Sequence, residues 1–83
     1  MEKYMIEQAV SNFGTGISTK KMVSKLYWLL YGQVKNVHIV NEKYISVNGR
    51  EFQLIRRKSK GMWEVKEMAK GYWTSYFEAM YNN

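Results

Sequence analysis

The strongest chemical signal in the sequence is a run of cations, "RRKSK", in which Arg56, Arg57, Lys58 and Lys60 occupy four of five positions. Side chains of this kind bind phosphate oxygens, and arginine can also bind a guanine edge through two parallel hydrogen bonds. The same run can instead be a solvated hairpin tip, because charged side chains keep the edges of a sheet from pairing with other chains. The sequence leaves both interpretations open.

Positive charge is concentrated in the later part of the chain, whose formal net charge over 83 residues is +6 at pH 7. Residues 1–18 contain one lysine and two glutamates, a net of −1, whereas residues 19–83 contain twelve lysines and arginines and five glutamates, a net of +7. This balance favours nucleic acid, an acidic protein surface or anionic lipid as the partner. A secondary basic patch is formed by Lys20, Lys21 and Lys25.

Side chains for catalysis or metal binding are few. His38 is the only histidine, and the chain contains no cysteine and no aspartate. A catalytic triad, a zinc site or a Cys–His pair is therefore incomplete. Glu51, Glu64 and Glu67 stand beside cations in alternating strands, and "GTGIST" lacks the preceding strand and the "GK[ST]" of a phosphate loop. We expect no enzyme activity, no metal and no cofactor.

Apolar runs in the sequence are short. The run "LYWLL" at residues 26–30 falls far below the roughly 20 residues that cross a bilayer. The opening "MEKYMIEQAV" mixes acids with its apolar residues and lacks the continuous core of a signal peptide. The absence of cysteine fits a reducing compartment. We expect a cytoplasmic protein without membrane contact, in the host cytoplasm if a phage encodes it.

Apolar residues at helical spacing predict a helical hairpin over residues 3–31. The first stripe comprises Met5, Ile6, Ala9, Val10 and Phe13. Gly14 and Gly16 are expected to stop this helix, and Ser18 or Thr19 to cap the second. Gly32 is expected to end the second helix, whose inward residues would be Met22, Val23, Leu26, Tyr27, Leu29 and Leu30.

From residue 34 the apolar period changes to two, which predicts a meander of three or four antiparallel strands over residues 34–68. The strands are "VKNVHIV", "KYISV", "REFQLIRR" and "MWEVKEM". Asn48-Gly49 is a two-residue hairpin turn that pairs Val47 with Arg50, and the next turn is either "KG" or "KSKG". Both alternatives have even length, so the predicted core face is the same: Ile45, Val47, Phe52, Leu54, Trp63 and Val65. The outward face comprises Tyr44, Gln53, Ile55, Arg57, Met62, Glu64, Lys66 and Met68.

The end of the chain contains Ser75-x-x-Glu78, a capping box that predicts a short helix over residues 75–82. The fold class is therefore α+β in a single small domain: two N-terminal helices, an antiparallel sheet and a C-terminal helix.

The stretch "FQLIRRKSKGMWEVKE", followed by "GYWTSYFEAM", resembles the AP2-type DNA-binding domain, which is also the arm-binding module of phage and transposon integrases. The likeness covers residues 52–79 and includes paired strands of the form "R-x-x-x-x-G-x-W". It implies that the sheet lies in a DNA groove, that Arg57 and Lys66 face DNA, and that Trp63 is shared between core and backbone. Two predicted helices precede the sheet here, and the predicted last helix is shorter than the family's.

These features favour a non-enzymatic protein that binds nucleic acid, DNA rather than RNA, through the outward face of the hairpin. Such a protein would suit a regulator of a phage or mobile element. The residues expected to make contact are Gln53, Arg56, Arg57, Lys58, Lys60 and Lys66. A winged-helix alternative would place Lys20, Lys21, Ser24 and Lys25 on a recognition helix, although the "LYWLLY" end of that helix is predicted to be buried.

The alternative from another class is a small phage-type inhibitor that blocks a host defence or nucleic-acid-processing protein, similar to an anti-CRISPR protein. Exposed tyrosine and tryptophan are typical of binding hot spots. The candidate contact aromatics are Tyr44, Tyr72, Trp73 and Tyr81. The same residues could form the seam of a homodimer, so monomer and homodimer both stay open.

Overall fold

The computed structural model describes residues 2–69, in which two helices pack on one face of a four-stranded antiparallel sheet. The elements are α1 (Glu2–Val10), α2 (Thr19–Leu30), β1 (Val37–Ile39), β2 (Tyr44–Val47), β3 (Arg50–Arg57) and β4 (Met62–Glu67). The strands follow one another in the order β1-β2-β3-β4. The α+β class, the two helices and the antiparallel meander are as predicted, and the predicted helix over residues 75–82 lies outside the described residues.

The ends of the helices follow from local hydrogen bonds. Ser18 is the N-cap of α2, since its hydroxyl oxygen accepts a hydrogen bond from the Lys21 N–H at 3.2 Å. Gly32 follows the end of α2 with φ +84°, a conformation that glycine adopts without a Cβ clash. α1 ends at Val10, earlier than predicted, because the Ser11 hydroxyl donates to the Gln8 carbonyl at 2.6 Å and competes with the helical pattern.

The predicted strand register is confirmed. Asn48 and Gly49 have φ of +52° and +82°, as a type I′ turn requires, and Val47 pairs with Arg50. The second turn is the four-residue "KSKG": Arg57 pairs with Met62. A short 3-10 helix, Lys58–Lys60, forms this loop.

The core lies between the helices and the inner face of the sheet. Every residue of the predicted core face is buried there, and the buried set is Ile6, Val10, Met22, Val23, Leu26, Leu30, Ile45, Val47, Phe52, Leu54, Trp63 and Val65. The prediction that Leu29 faces inward is wrong, because its side chain is 42% exposed. It lies at the edge of the apolar stripe and lines a shallow groove shared with Met5 and Ala9 of α1.

The predicted burial of the "LYWLLY" end of α2 is also wrong. Trp28 is 66% exposed and Tyr31 is 62% exposed, because the helix turns both away from the stripe that Leu26 and Leu30 bury. β1 is shorter than the predicted strand over residues 34–40. Within residues 2–69, none of the helices is long and apolar enough to cross a membrane.

Two ends of the molecule are defined by the turns of the sheet. At the end with the β2–β3 turn, Arg50 binds the carboxylates of Glu2 and Glu67, and Asn48 also donates to Glu2. At the other end lies the loop between β3 and β4, where Arg56 and Trp63 donate hydrogen bonds to Ile17 and Gly14 in the connection between the helices. The two helices therefore run roughly along the strands, and α2 begins at the β3–β4 end.

Candidate nucleic-acid interface

The outward face of the sheet displays the residues that the sequence predicts. Gln53 pairs with Lys66, and Arg57 pairs with Met62, all on the side opposite the core. Arg57 and Lys66 are exposed, whereas Gln53 is half-buried. Both described helices pack on the inner face, so these three side chains are not beneath α1 or α2.

Carboxylates offset much of the charge on this outward face. Arg57 Nε donates a hydrogen bond to Glu64 Oε2 at 3.1 Å, and both side chains are about half exposed (47% and 46%). The hydrogen bond from Arg57 lowers the pKa of Glu64, with further contributions from Lys60 and Lys66. Glu51 lies on the same face, opposite Ser46. The outward face alone therefore has little net charge with which to attract a polyanion.

Arg56 lies on the other side of the hairpin. It is paired with Trp63 on the inner face, and its Nη1 donates a hydrogen bond to the main-chain carbonyl oxygen of Ile17 at 2.8 Å. Strand alternation separates it from Arg57, because successive side chains point to opposite faces. Arg56 thus joins the basic hairpin to the residues that precede α2.

Trp63 makes a second connection to the same loop. Its indole N–H donates to the Gly14 carbonyl oxygen at 3.0 Å, and the side chain is only 5% exposed. A buried tryptophan normally needs such a partner for its N–H. The structure therefore places Trp63 in the core rather than on a surface, and the two bonds hold the connection between α1 and α2 against the β3–β4 hairpin.

These contacts bring together two basic patches that are far apart in the sequence. Ile17 precedes Lys20 by three residues, so the start of α2 lies at the same end of the molecule as the β3–β4 loop. We call this surface the basic end, formed by Lys20, Lys21, Arg56, Lys58 and Lys60. Its four lysines are exposed, and within the described part of the chain none of them is ion-paired with a carboxylate.

The start of α2 strengthens the positive potential of the basic end. The first turn contains no acidic residue, although Lys20 and Lys21 lie there. The N-terminus of a helix has a partial positive charge, so Lys20 and Lys21 are repelled at this position. A bound negatively charged partner would offset that repulsion. In the sequence, the two lysine patches belong to two alternative interfaces. The contact that joins them, between Arg56 and Ile17, spans 39 residues and has no local sequence signal.

Further along α2, the exposed face changes from basic to aromatic. Lys25 is exposed one turn after Lys21, and its Nζ lies 5.9 Å from the centroid of the Phe13 ring. Beyond it, Tyr27, Trp28 and Tyr31 form an aromatic cluster with ring centroids 5.1–5.9 Å apart. Two of these contacts follow from helical spacing, because Tyr31 lies four residues after Tyr27 and three residues after Trp28.

Of the four predicted contact aromatics, one lies within the described residues. Tyr44 is half-buried on the outward face, while Tyr72, Trp73 and Tyr81 lie outside the described residues. His38 is exposed on β1, opposite Ser46. Among residues 2–69, no three His, Cys, Asp or Glu side chains are grouped so that they could hold a metal ion.

No protein-family model, curated protein or solved structure matches this chain. The resemblance to AP2-type domains therefore stays a prediction, and any assignment of function rests on the surfaces described above.

Proposed function

We propose that this protein is a small non-enzymatic nucleic-acid-binding protein that contacts duplex DNA with its basic end. The main support is the hydrogen bond from Arg56 to the Ile17 carbonyl, which joins the hairpin lysines and the lysines of α2 into one surface. Exposed lysines that form no salt bridge within residues 2–69 keep their charge available for phosphate oxygens. Phosphate contacts position a protein on DNA without selecting a sequence.

The shape of the hairpin suits a duplex. Pairing between β2 and β3 stops at Tyr44 and Gln53, and the Leu54 N–H donates to the Lys43 carbonyl oxygen. Within residues 2–69, residues 55–57 pair with β4 alone, so a two-stranded ribbon extends roughly 10 Å beyond β2. The major groove of B-DNA is about 8.5 Å deep and admits such a ribbon.

Each basic residue has a distinct role in this proposal. Lys58 and Lys60, at the tip, contact phosphates, and Lys20 and Lys21 contact phosphates on the adjoining backbone. Arg57 and its cross-strand partner Met62 are nearest the tip on the outward face, and Arg57 can reach a base edge or a phosphate when Glu64 releases it. Gln53 and Lys66 lie farther from the tip and contribute only if the groove encloses the whole ribbon.

The proposal is tested by neutralising single cations and measuring affinity for a random-sequence duplex by fluorescence anisotropy. Lys58→Gln and Lys20→Gln should each weaken binding several-fold, corresponding to about 1 kcal/mol. Lys3→Gln is the matched control, since Lys3 is exposed and follows Glu2 at the opposite end. Equal losses of affinity in all three variants would show that binding depends on net charge and not on cations at the basic end.

A further inference from the structure

We infer that the aromatic cluster of α2 stacks on unpaired bases adjoining the duplex, so that the preferred ligand is a duplex with a single-stranded tail. This inference rests on the proposed function, because the duplex is held by the basic end. Trp28 and Tyr31 are 66% and 62% exposed, an arrangement that leaves large apolar rings in contact with water. Exposed aromatic rings beside cations are the usual platform for single-stranded nucleic acid.

Cations flank the aromatic cluster on both sides. Lys25 precedes it on the exposed face of α2. After it comes a shallow groove of about 480 Å³ between the end of α2 and β1, lined by the rings of Tyr27 and Tyr31 and by Lys35 and His38. The other residues lining the groove are Gly32, Val34, Asn36 and Val37, so no carboxylate from residues 2–69 lines it.

This charge pattern favours a polyanion over a protein as the occupant. A protein partner would need an apolar pocket for the rings and carboxylates placed on both sides of that pocket. A nucleic-acid strand satisfies both features, because its bases stack on the rings while its phosphates approach the cations. Since every base has a π-face, the cluster would accept any sequence of unpaired bases.

The length of α2 sets the size of the tail. Its twelve residues extend over roughly 18 Å, with Lys20 near the basic end and Tyr31 just beyond the other end. A stacked strand advances about 3.4 Å per nucleotide. A tail of about five nucleotides is therefore needed to reach from a duplex at the basic end to the aromatic cluster.

The test compares a blunt duplex with the same duplex bearing a thymine tail of about two or about eight nucleotides, with polarity varied. The longer tail should raise affinity at least about fivefold, and the shorter tail should add little. Trp28→Ala and Tyr31→Ala should remove this gain and leave the affinity for the blunt duplex unchanged. Tyr4→Ala is the matched control, because Tyr4 is 64% exposed on α1 and lies outside the groove.

The outcomes separate the two proposals. The duplex interface stands if the blunt duplex binds and Lys58→Gln weakens that binding. Base stacking at the aromatic cluster is nevertheless overturned if the long tail adds no affinity, or if Trp28→Ala keeps the gain from the tail. If the wild-type protein binds none of the duplexes, the proposed function itself fails. Unchanged circular dichroism melting curves for Trp28→Ala and Tyr31→Ala would exclude unfolding as the cause of lost affinity.

Discussion

Arg56 Nη1 lies 2.8 Å from the main-chain carbonyl oxygen of Ile17, and this contact makes one surface out of two basic segments. It also explains why Arg56 and Arg57, although adjacent, have different roles. Arg56 holds the hairpin to the start of α2, whereas Arg57 is exposed on the outward face beside Glu64.

Replacing Arg56 with methionine should lower the free energy of unfolding by about 1–2 kcal/mol, since a hydrogen bond from a charged donor is lost while the aliphatic stem is kept. Arg57→Met is the matched control. It removes an exposed ion pair with Glu64, which solvent screens, so the loss of stability should be smaller than for Arg56→Met. Urea unfolding measures both variants, and equal stabilities would show that the Arg56 contact does not hold the hairpin to the helices.

Glu64→Gln should raise affinity for duplex DNA. The substitution removes a negative charge from the outward face and frees Arg57, which at present donates to Glu64. The expected gain in affinity is several-fold at low salt and should shrink as salt screens the charges. Anisotropy titrations at two ionic strengths measure it, with Glu42→Gln, an exposed loop residue, as the control for net charge. A gain of the same size in both variants would argue against a role for the Arg57–Glu64 pair.

Acid should destabilise the fold through Glu67. Hydrogen bonds from Arg50 lower the pKa of Glu67, while the same carboxyl in the unfolded chain has a pKa of about 4.3. The unfolded chain therefore binds a proton more readily, so the stabilisation is complete above about pH 5 and is lost as pH falls through the folded pKa. Urea midpoints for Glu67→Gln should depend less steeply on pH than those of the wild-type protein. Parallel pH profiles for the two would contradict this assignment.

Gly49→Ala should destabilise the protein by about 1 kcal/mol, because residue 49 has φ +82° and an L side chain is strained there. A Cβ at this position would meet no atom of residues 2–69 within 4 Å, so the expected cost comes from the backbone. Gly16→Ala is the control: that position is equally open and is outside the left-handed region. Thermal unfolding compares the two, and a neutral Gly49→Ala would mean that the β2–β3 turn relaxes without cost.

The sheet could be predicted from sequence because its signals are local. Asn48-Gly49 specifies both the turn and the pairing of Val47 with Arg50, and alternation then assigns each side chain to a face. The sequence leaves the length of the second turn open, since a two-residue loop and a four-residue loop send the same side chains to the same faces of the sheet. Gly61, with φ +63°, closes the four-residue loop.

The interface was harder to predict because it depends on contacts between distant segments. Arg56 reaches Ile17 across 39 residues, and no local pattern indicates that the hairpin tip and the start of α2 share one end. The exposure of Trp28 was missed for a related reason. Apolar composition suggested a buried helix end, but only one face of α2 meets the sheet, and the opposite face is left in water.

The salt dependence of duplex binding tests the central claim most directly. With four or five phosphate contacts at the basic end, affinity should fall roughly 10²- to 10³-fold between 50 and 200 mM salt, and Lys58→Gln should reduce the slope of log affinity against log salt by about 0.9. Lys3→Gln should leave the slope unchanged. A wild-type affinity that barely responds to salt, or equal slopes for Lys58→Gln and the wild-type protein, would contradict a phosphate-binding basic end and favour a protein partner.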